Sequence, residues 1–485
     1  MPNRKLLEIT HLLTSAQTKR LRQFLAAPFF NHGYNARQIQ DLFDRIVAAN
    51  SEESDPQLDK KTLSRHFFPG KTYRERGKNP IDSLASDLLR QVKFYLTIED
   101  VLADSWASRE HLALARFYRS NNLEERFWQN INQWRKTLAE QSEQPASYHL
   151  QHYYLEEEVA AFSSTFNTYT DDANLLAAHR HLDTFYTVLK LEYACALNFQ
   201  RQLSPIEAGE TARLIPVLVQ EFQHISYLQS PLALLYHCIL QLFDEPENDS
   251  LFSRFEQLLQ QHRAVVEPVK YRNLQAFYRY FAGKRYVRYG GSGVLHQLFE
   301  LYNRHLQEGY FSVDGKMLPG SLKVLVNIGL KLDKTSWVEQ LLRSYGPAQL
   351  TGTRYPVESH SLCVAELLFH KKSYAEAREH LIFRHFENIN YSILADVLLI
   401  KIYYKTQDEL LDSRMKALVQ KVRRARISPE SKTPYFNFLK KLDKIIRYVW
   451  EKKPAKIERL ALDIQSQPAI LEREWLLGLL QPEKE

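Results

Sequence analysis

Apolar residues recur every three or four positions along nearly the whole chain, and strand-like alternation is scarce. Ile39, Leu42, Phe43, Ile46 and Val47 fall at i, i+3, i+4, i+7 and i+8, which places them on one helix face. Leu251, Phe255, Leu258 and Leu259 repeat the arrangement. Start signals punctuate these runs. Asn79-Pro80-Ile81-Asp82, Ser204-Pro205-Ile206-Glu207 and Ser428-Pro429-Glu430 each place a capping side chain before a first-turn proline and an early acid. The pattern predicts an all-α fold of roughly twenty helices, joined by short loops and stacked as antiparallel pairs. Only 15 glycines in 485 residues fit that reading.

Three regions follow from the punctuation. Residues 1–105 hold five short helices, with irregular loops at 28–35, 50–58 and 68–79. Residues 106–310 form a helical-pair array with longer helices, one of them over 172–201. In residues 311–485 repetition becomes visible. Phe369-His370-Lys371-Lys372-Ser373-Tyr374-Ala375-Glu376-Ala377 lies 35 residues before Tyr404-Lys405-Thr406-Gln407-Asp408-Glu409-Leu410-Leu411-Asp412. A fainter copy, Leu332 to Gln340 with Trp337 in the Tyr374 slot, starts 37 residues before Phe369.

This spacing resembles the tetratricopeptide repeat, a helix–turn–helix unit of about 34 residues. Tyr374 and Ala377 match positions where the second helix of a repeat meets the first. Ala365 and Lys372 stand where the repeat favours glycine, and Asp412 replaces the small residue of the next copy. The resemblance covers residues 311–425 and implies a degenerate tetratricopeptide-like superhelix. A second resemblance rests on Phe24-Leu25-Ala26-Ala27-Pro28-Phe29-Phe30-Asn31 and Phe67-Phe68-Pro69-Gly70-Lys71. These landmarks are similar to those of large uncharacterised helical proteins of the Bacteroidota, which implies no activity. Physically, Pro28 should stop the preceding helix, and the Phe29–Phe30 pair should anchor the turn in the core.

Charge changes the picture in one place. The net charge is +7. From Arg414 to Arg459 there are fifteen Lys and Arg against four acids, so the rest of the chain is net acidic. Cys195, Cys238 and Cys363 are far apart, without disulfide or zinc spacing, and are expected to be reduced packing residues. The N-terminus lacks a signal-peptide pattern and no apolar run is long enough for a membrane span, which leads to the expectation of a soluble, cytoplasmic protein without membrane partners.

Four segments carry candidate chemistry. In the C-terminal basic stretch, Arg423, Arg424, Arg426, Lys440, Lys441, Lys444 and Arg447 are candidate phosphate contacts. Tyr435, Phe436, Phe438, Tyr448 and Trp450 interleave with them as stacking candidates. The competing reading puts Phe438, Leu439, Leu442, Ile445, Ile446 and Val449 on a buried stripe, with the lysines on the solvated side, and it is the stronger. Lys270 to Tyr289 mixes cations with aromatic residues ahead of Gly290-Gly291-Ser292-Gly293, without the strand or the Lys-Ser/Thr of a phosphate loop. A connector between helices is the better reading there. Lys60, Lys61, Arg65, Lys71, Arg74, Arg76 and Lys78 surround a turn too long for a DNA-binding helix-turn-helix. His149, His152 and Glu156 share a helix face, and Glu221 precedes His224 by three, but neither set completes a metal site.

No nucleophile motif, cofactor fingerprint or metal signature emerges, so the sequence points to a non-enzymatic scaffold without cofactors. Its expected partner is a protein, whose peptide or helix lies in a groove between stacked pairs. His360, Glu366, Asn390 and Lys401 are the candidate groove residues. Nucleic-acid binding through residues 414–459 is the alternative.

Overall fold

The computed structural model describes residues 3–31, 33, 35–49, 56–75, 77, 79–103, 106–166, 172–203, 214–222, 224–228, 230–289, 291–382, 386–427, 429–450, 454–467 and 469–480. Among them are 23 α-helices and one two-stranded hairpin, so the chain is all-α apart from that turn. No described helix is long and apolar enough to cross a membrane. The chain divides into two compact units, Met1–Thr187 and Val188–Glu485.

The first unit opens with α1 (Arg4–His11), α2 (Ser15–Ala26), α3 (Ala36–Ala48), α4 (Lys60–Phe67) and α5 (Pro80–Ala103). Side chains of Asn3, Thr14 and Asp59 cap the starts of α1, α2 and α4. Thr14 Oγ1 accepts from Gln17 N at 3.2 Å while Gln17 Oε1 accepts from Thr14 N at 3.0 Å, a reciprocal capping box. At the start of α5 the early acid acts as expected, Asp82 Oδ2 accepting from Asn79 N–H at 3.1 Å, but the Asn79 side chain does not cap the helix: its Oδ1 accepts from Arg74 N and its Nδ2 donates to Arg74 O, each at 2.9 Å. Ser204 to Glu207 and Ser428 lie outside the described residues. The apolar faces of α1–α5 close one core running from Leu6 to Tyr95. Ile39, Leu42, Phe43 and Ile46 are buried in it, but Val47 at the edge of the stripe is exposed.

Helix α2 stops before Pro28 as expected, but the aromatic pair behind it splits. Phe30 stacks on Phe24 with centroids 4.6 Å apart, whereas Phe29 is 83% exposed. Phe30 and Asn31 turn toward the core, and Phe29 is carried to the outside of the Ala27–Asn31 turn. The buried residue there is Asn31, whose Nδ2 donates to Leu25 O at 3.0 Å.

Helices α6 (Trp106–Ser120), α7 (Glu124–Ala139) and α8 (Ala146–Phe166) share a second core. In it Phe127 and Phe162 stack at 4.2 Å. Glu158 is buried there and held by Arg116 at 2.8 Å and Arg119 at 3.2 Å. The division between the units falls inside α9 (Ala173–Leu203).

The second unit continues through α10 (Leu214–Phe222), α11 (Pro231–Asp244), α12 (Asp249–Gln261), α13 (Pro268–Tyr289) and α14 (Ser292–Gln307). Helix α11 is apolar around most of its circumference and correspondingly buried. The hairpin then pairs Ser312 with Met317 and Val313 with Lys316. Its two-residue turn places Asp314 at φ 51° and Gly315 at φ 72°, the backbone that an Asp-Gly pair favours. Then follow α15 (Pro319–Lys331), α16 (Thr335–Ser344), α17 (Pro356–His370), α18 (Tyr374–Ile382), α19 (Ile389–Thr406), α20 (Leu411–Arg424), α21 (Pro429–Trp450), α22 (Pro454–Ser466) and α23 (Arg473–Gly478). In this run α15 packs on α16 and α17, α17 on α18 and α19, and α19 on α20.

Candidate partner-binding face

Three turns along this run close in the same way. After α15, α17 and α19, residues Asp333, Lys372 and Gln407 take left-handed φ values of 54°, 62° and 52°. The N–H of the following residue then donates back to the carbonyl of Gly329, Leu368 or Tyr403, each at 2.9 Å. This is the six-to-one closure of a Schellman turn, here made without glycine. Side chains tie neighbouring turns together. His370 Nε2 reaches Asp333 Oδ1 at 2.9 Å, Lys371 pairs with Glu339 at 2.8 Å, and Arg378 pairs with Asp408 at 3.2 Å. Trp337 and Tyr374, matched in the sequence, meet different helices: Trp337 packs on Phe299 of α14 at 5.0 Å, whereas Tyr374 packs on Phe369 of the preceding helix α17 at 5.5 Å.

Helices α15, α19 and α21 meet a segment from beyond α22, and Glu366 of α17 feels the charge of its Glu472. After α22 the chain turns back, and Ala469–Trp475 lies against them. Asn437 Nδ2 donates to Ala469 O at 2.7 Å, and Leu471 N–H donates to Pro434 O at 3.3 Å. Lys401 Nζ pairs with Glu472 Oε2 at 2.7 Å, and Lys331 Nζ pairs with Glu474 Oε2 at 2.8 Å. Trp475 meets Tyr404 edge-on at 5.6 Å and lies 6.1 Å from Phe438. The Lys401 ammonium also stands 4.8 Å from the Phe369 ring centroid and 5.6 Å from that of Trp475.

Two polar atoms beside these contacts are left unsatisfied. Glu366 faces Lys323 through Oε1 at 3.7 Å, but its Oε2 is buried without a hydrogen-bond partner. Burial pushes the Glu366 carboxyl above its ordinary value, against the pull of Lys323 and Lys401. Trp475 Nε1 is likewise buried and unpartnered.

The four expected groove residues therefore part company. Glu366 and Lys401 belong to this one neighbourhood. His360 spends its Nε2–H on Leu342 O at 3.0 Å, which fastens α17 to α16. Asn390 is exposed in the first turn of α19.

The basic stretch is more engaged than its composition implies. Lys441 is buried and paired with Asp463, whose carboxyl this hydrogen bond holds below the usual range. Arg447 pairs with Asp443 at 3.0 Å, and Arg414 reaches the buried Asp396 at 3.1 Å. Arg423, Arg424, Arg426 and Lys440 are exposed, and Lys444 is half-buried. Phe438, Leu439, Leu442 and Ile445 are buried, with Tyr435, Phe436 and Tyr448 packed on the same core. Those rings are occupied by protein.

In the segment Lys270–Tyr289, Lys270, Arg279 and Arg285 are likewise engaged within the protein, and Lys284 is exposed. Lys270 pairs with Glu192, Arg285 pairs with Asp249, and Arg279 lies over Phe311 at 4.2 Å. Burial lowers the Arg279 guanidinium to about 10 and, together with Arg279 and Arg304, lowers His305 to about 3. In the N-terminal basic turn, Lys60 pairs with Asp82 at 2.7 Å. Arg76 and Lys78 lie outside the described residues.

A histidine cluster sits in the first unit. His149 and His181 approach through their Nδ1 atoms at 3.3 Å, and His152 stacks on His181 at 4.6 Å. Burial and the neighbouring His181 pull both His149 and His152 down to about 4, with His152 and Arg135 respectively adding to the effect. Their Nε2 atoms are buried and unpartnered. Glu156 turns instead to Arg135 at 3.5 Å. Among the described residues no group of three or more His, Cys, Asp or Glu is placed to hold a metal ion. The three cysteines are buried and reduced, and burial pushes every thiol up, Cys238 to about 11. None has the low pKa of a nucleophile.

No protein-family model, curated protein or solved structure matches the chain.

Proposed function

We propose that the chain is a non-enzymatic scaffold of tetratricopeptide-like helix pairs that holds a peptide or helix of a protein partner. The pairs stack into a superhelix, and the binding face is that of α15, α17, α19 and α21. One observation carries this reading: the same face already holds a segment of the chain, Ala469–Trp475, which enters as a turn and runs into α23, through hydrogen bonds to its main chain, ion pairs and an aromatic anchor. Those are the contacts by which helical-repeat faces take peptide ligands. The ionisable groups of the face are committed to one another and not to reaction chemistry, and the protein works in the cytoplasm.

Nucleic-acid binding is the second reading, favoured by the exposure of Arg423, Arg424 and Arg426 at the end of α20. One comparison separates them. A salt-tolerant complex recovered from native cytosol should be lost with Lys401→Glu and kept with Arg423→Gln/Arg424→Gln/Arg426→Gln. Retention on a phosphate resin that falls steeply with salt and vanishes in the triple variant would establish the nucleic-acid reading instead.

A further inference from the structure

We infer that the C-terminal segment is a built-in competitor for the scaffold's own face, and that the partner carries a segment of the same chemistry: acidic residues beside a tryptophan. This rests on the scaffold reading and names its partner class and its regulation.

Charge complementarity comes first. Lys323, Lys331 and Lys401 present three ammonium groups, and Glu366 is the acid of the helices among them. Glu472 and Glu474 supply the missing negative charge from the returning segment. Lysine flanked by Phe369 and Trp475 adds a cation–aromatic layer, which selects an aromatic residue next to the acid.

The segment is also an imperfect ligand. Glu472 takes a left-handed backbone, φ 54°, at the start of α23, a conformation that side-chain-bearing residues adopt at a cost. Glu366 Oε2 and Trp475 Nε1 are buried beside it without partners, so two polar groups lose water and gain nothing. The Glu474 side chain remains 70% exposed in its ion pair, where solvent screens the attraction. Leu476 is fully buried and holds the segment down in the free protein. A partner peptide that satisfied Glu366 and found a partner for its own indole N–H would compete on better terms. Its apparent affinity is set by the fraction of chains in which the segment has lifted.

The test uses the full chain and a labelled synthetic peptide spanning residues 469–480, with fluorescence anisotropy as the readout. Glu472→Lys/Glu474→Lys should bind the peptide at least about tenfold more tightly than the wild type. Trp475→Ala in the full chain gives a second opened form with the same expectation, and Lys401→Glu added to either should abolish the gain. Equal binding by wild type and opened forms overturns the proposal. So does unfolding of both opened forms in circular dichroism, because the segment would then be core and not competitor. Peptide capture in trans without any native cytosolic complex leaves the displacement standing and removes the scaffold reading. Native complexes without peptide capture remove the displacement and leave the scaffold.

Discussion

Three imidazoles in one place make His149, His152 and His181 an acid-sensitive part of the first unit. A histidine held at about 4 in the fold and near 6.5 when unfolded binds its proton first in the unfolded chain. Its stabilising contribution is therefore complete above the unfolded value and is lost as pH falls from about 6.5 toward 4, on the order of 2–3 kcal/mol per ring. Glu156 has the opposite sign, since burial raises its carboxyl. Replacing His152 with Phe keeps the stack on His181 and removes a buried, unpartnered nitrogen. His152→Phe should melt within a few degrees of the wild type at pH 7.5 and above it at pH 4.5. An equal loss of melting temperature in both proteins over that range would contradict the assignment. The i, i+3 spacing of His149 and His152 was readable in the sequence. His181, on α9, was not, because nothing local says which face a distant helix turns toward its neighbour. The same limit explains Phe29, where a Phe-Phe pair looked like one anchor and only Phe30 became one.

At the scale of elements, the close approach of α15 and α16 depends on a missing side chain. A Cβ built on Gly329 would stand 2.6 Å from Val338 Cγ2 and 3.1 Å from Trp337 Cε3. Gly329→Ala should lower stability by on the order of 1–3 kcal/mol, read as a lower urea midpoint, even though alanine is the better helix former. A raised midpoint would mean that the two helices are not held as described. Helix content is legible because apolar period is a local property, as the stripe of α3 shows, and the Pro80–Asp82 start of α5 is legible for the same reason. Lys372 was recognised as standing in a turn position where the repeat favours glycine, and it does take the left-handed conformation. The hairpin at Ser312–Met317 was missed although Asp314-Gly315 is a turn signal, because its strands are two residues each and carry no alternation.

For the molecule as a whole, the basic C-terminal stretch resolves into internal use and surface charge. Lys441, Arg447 and Arg414 have acidic partners, and the interleaved aromatics fill the core of α19–α23. The sequence showed the charge but not its pairing, since Lys441 meets Asp463 across two different helices. Nor did it show that Lys401, chosen as a groove residue, would be covered by Glu472 and Trp475. That contact joins positions 71 residues apart, and the acids of Leu471-Glu472-Arg473-Glu474-Trp475 read locally as an ordinary helix start. The account therefore rests on the returning segment occupying the face of α15, α17, α19 and α21.

Quantitative lysine acylation followed by mass spectrometry tests this directly. In the native protein Lys401 should react at least about tenfold more slowly than the exposed Lys416, and Glu472→Lys/Glu474→Lys should bring the Lys401 rate up toward that of Lys416 with the fold intact. Lys401 reacting as fast as Lys416 in the unmodified chain would contradict it.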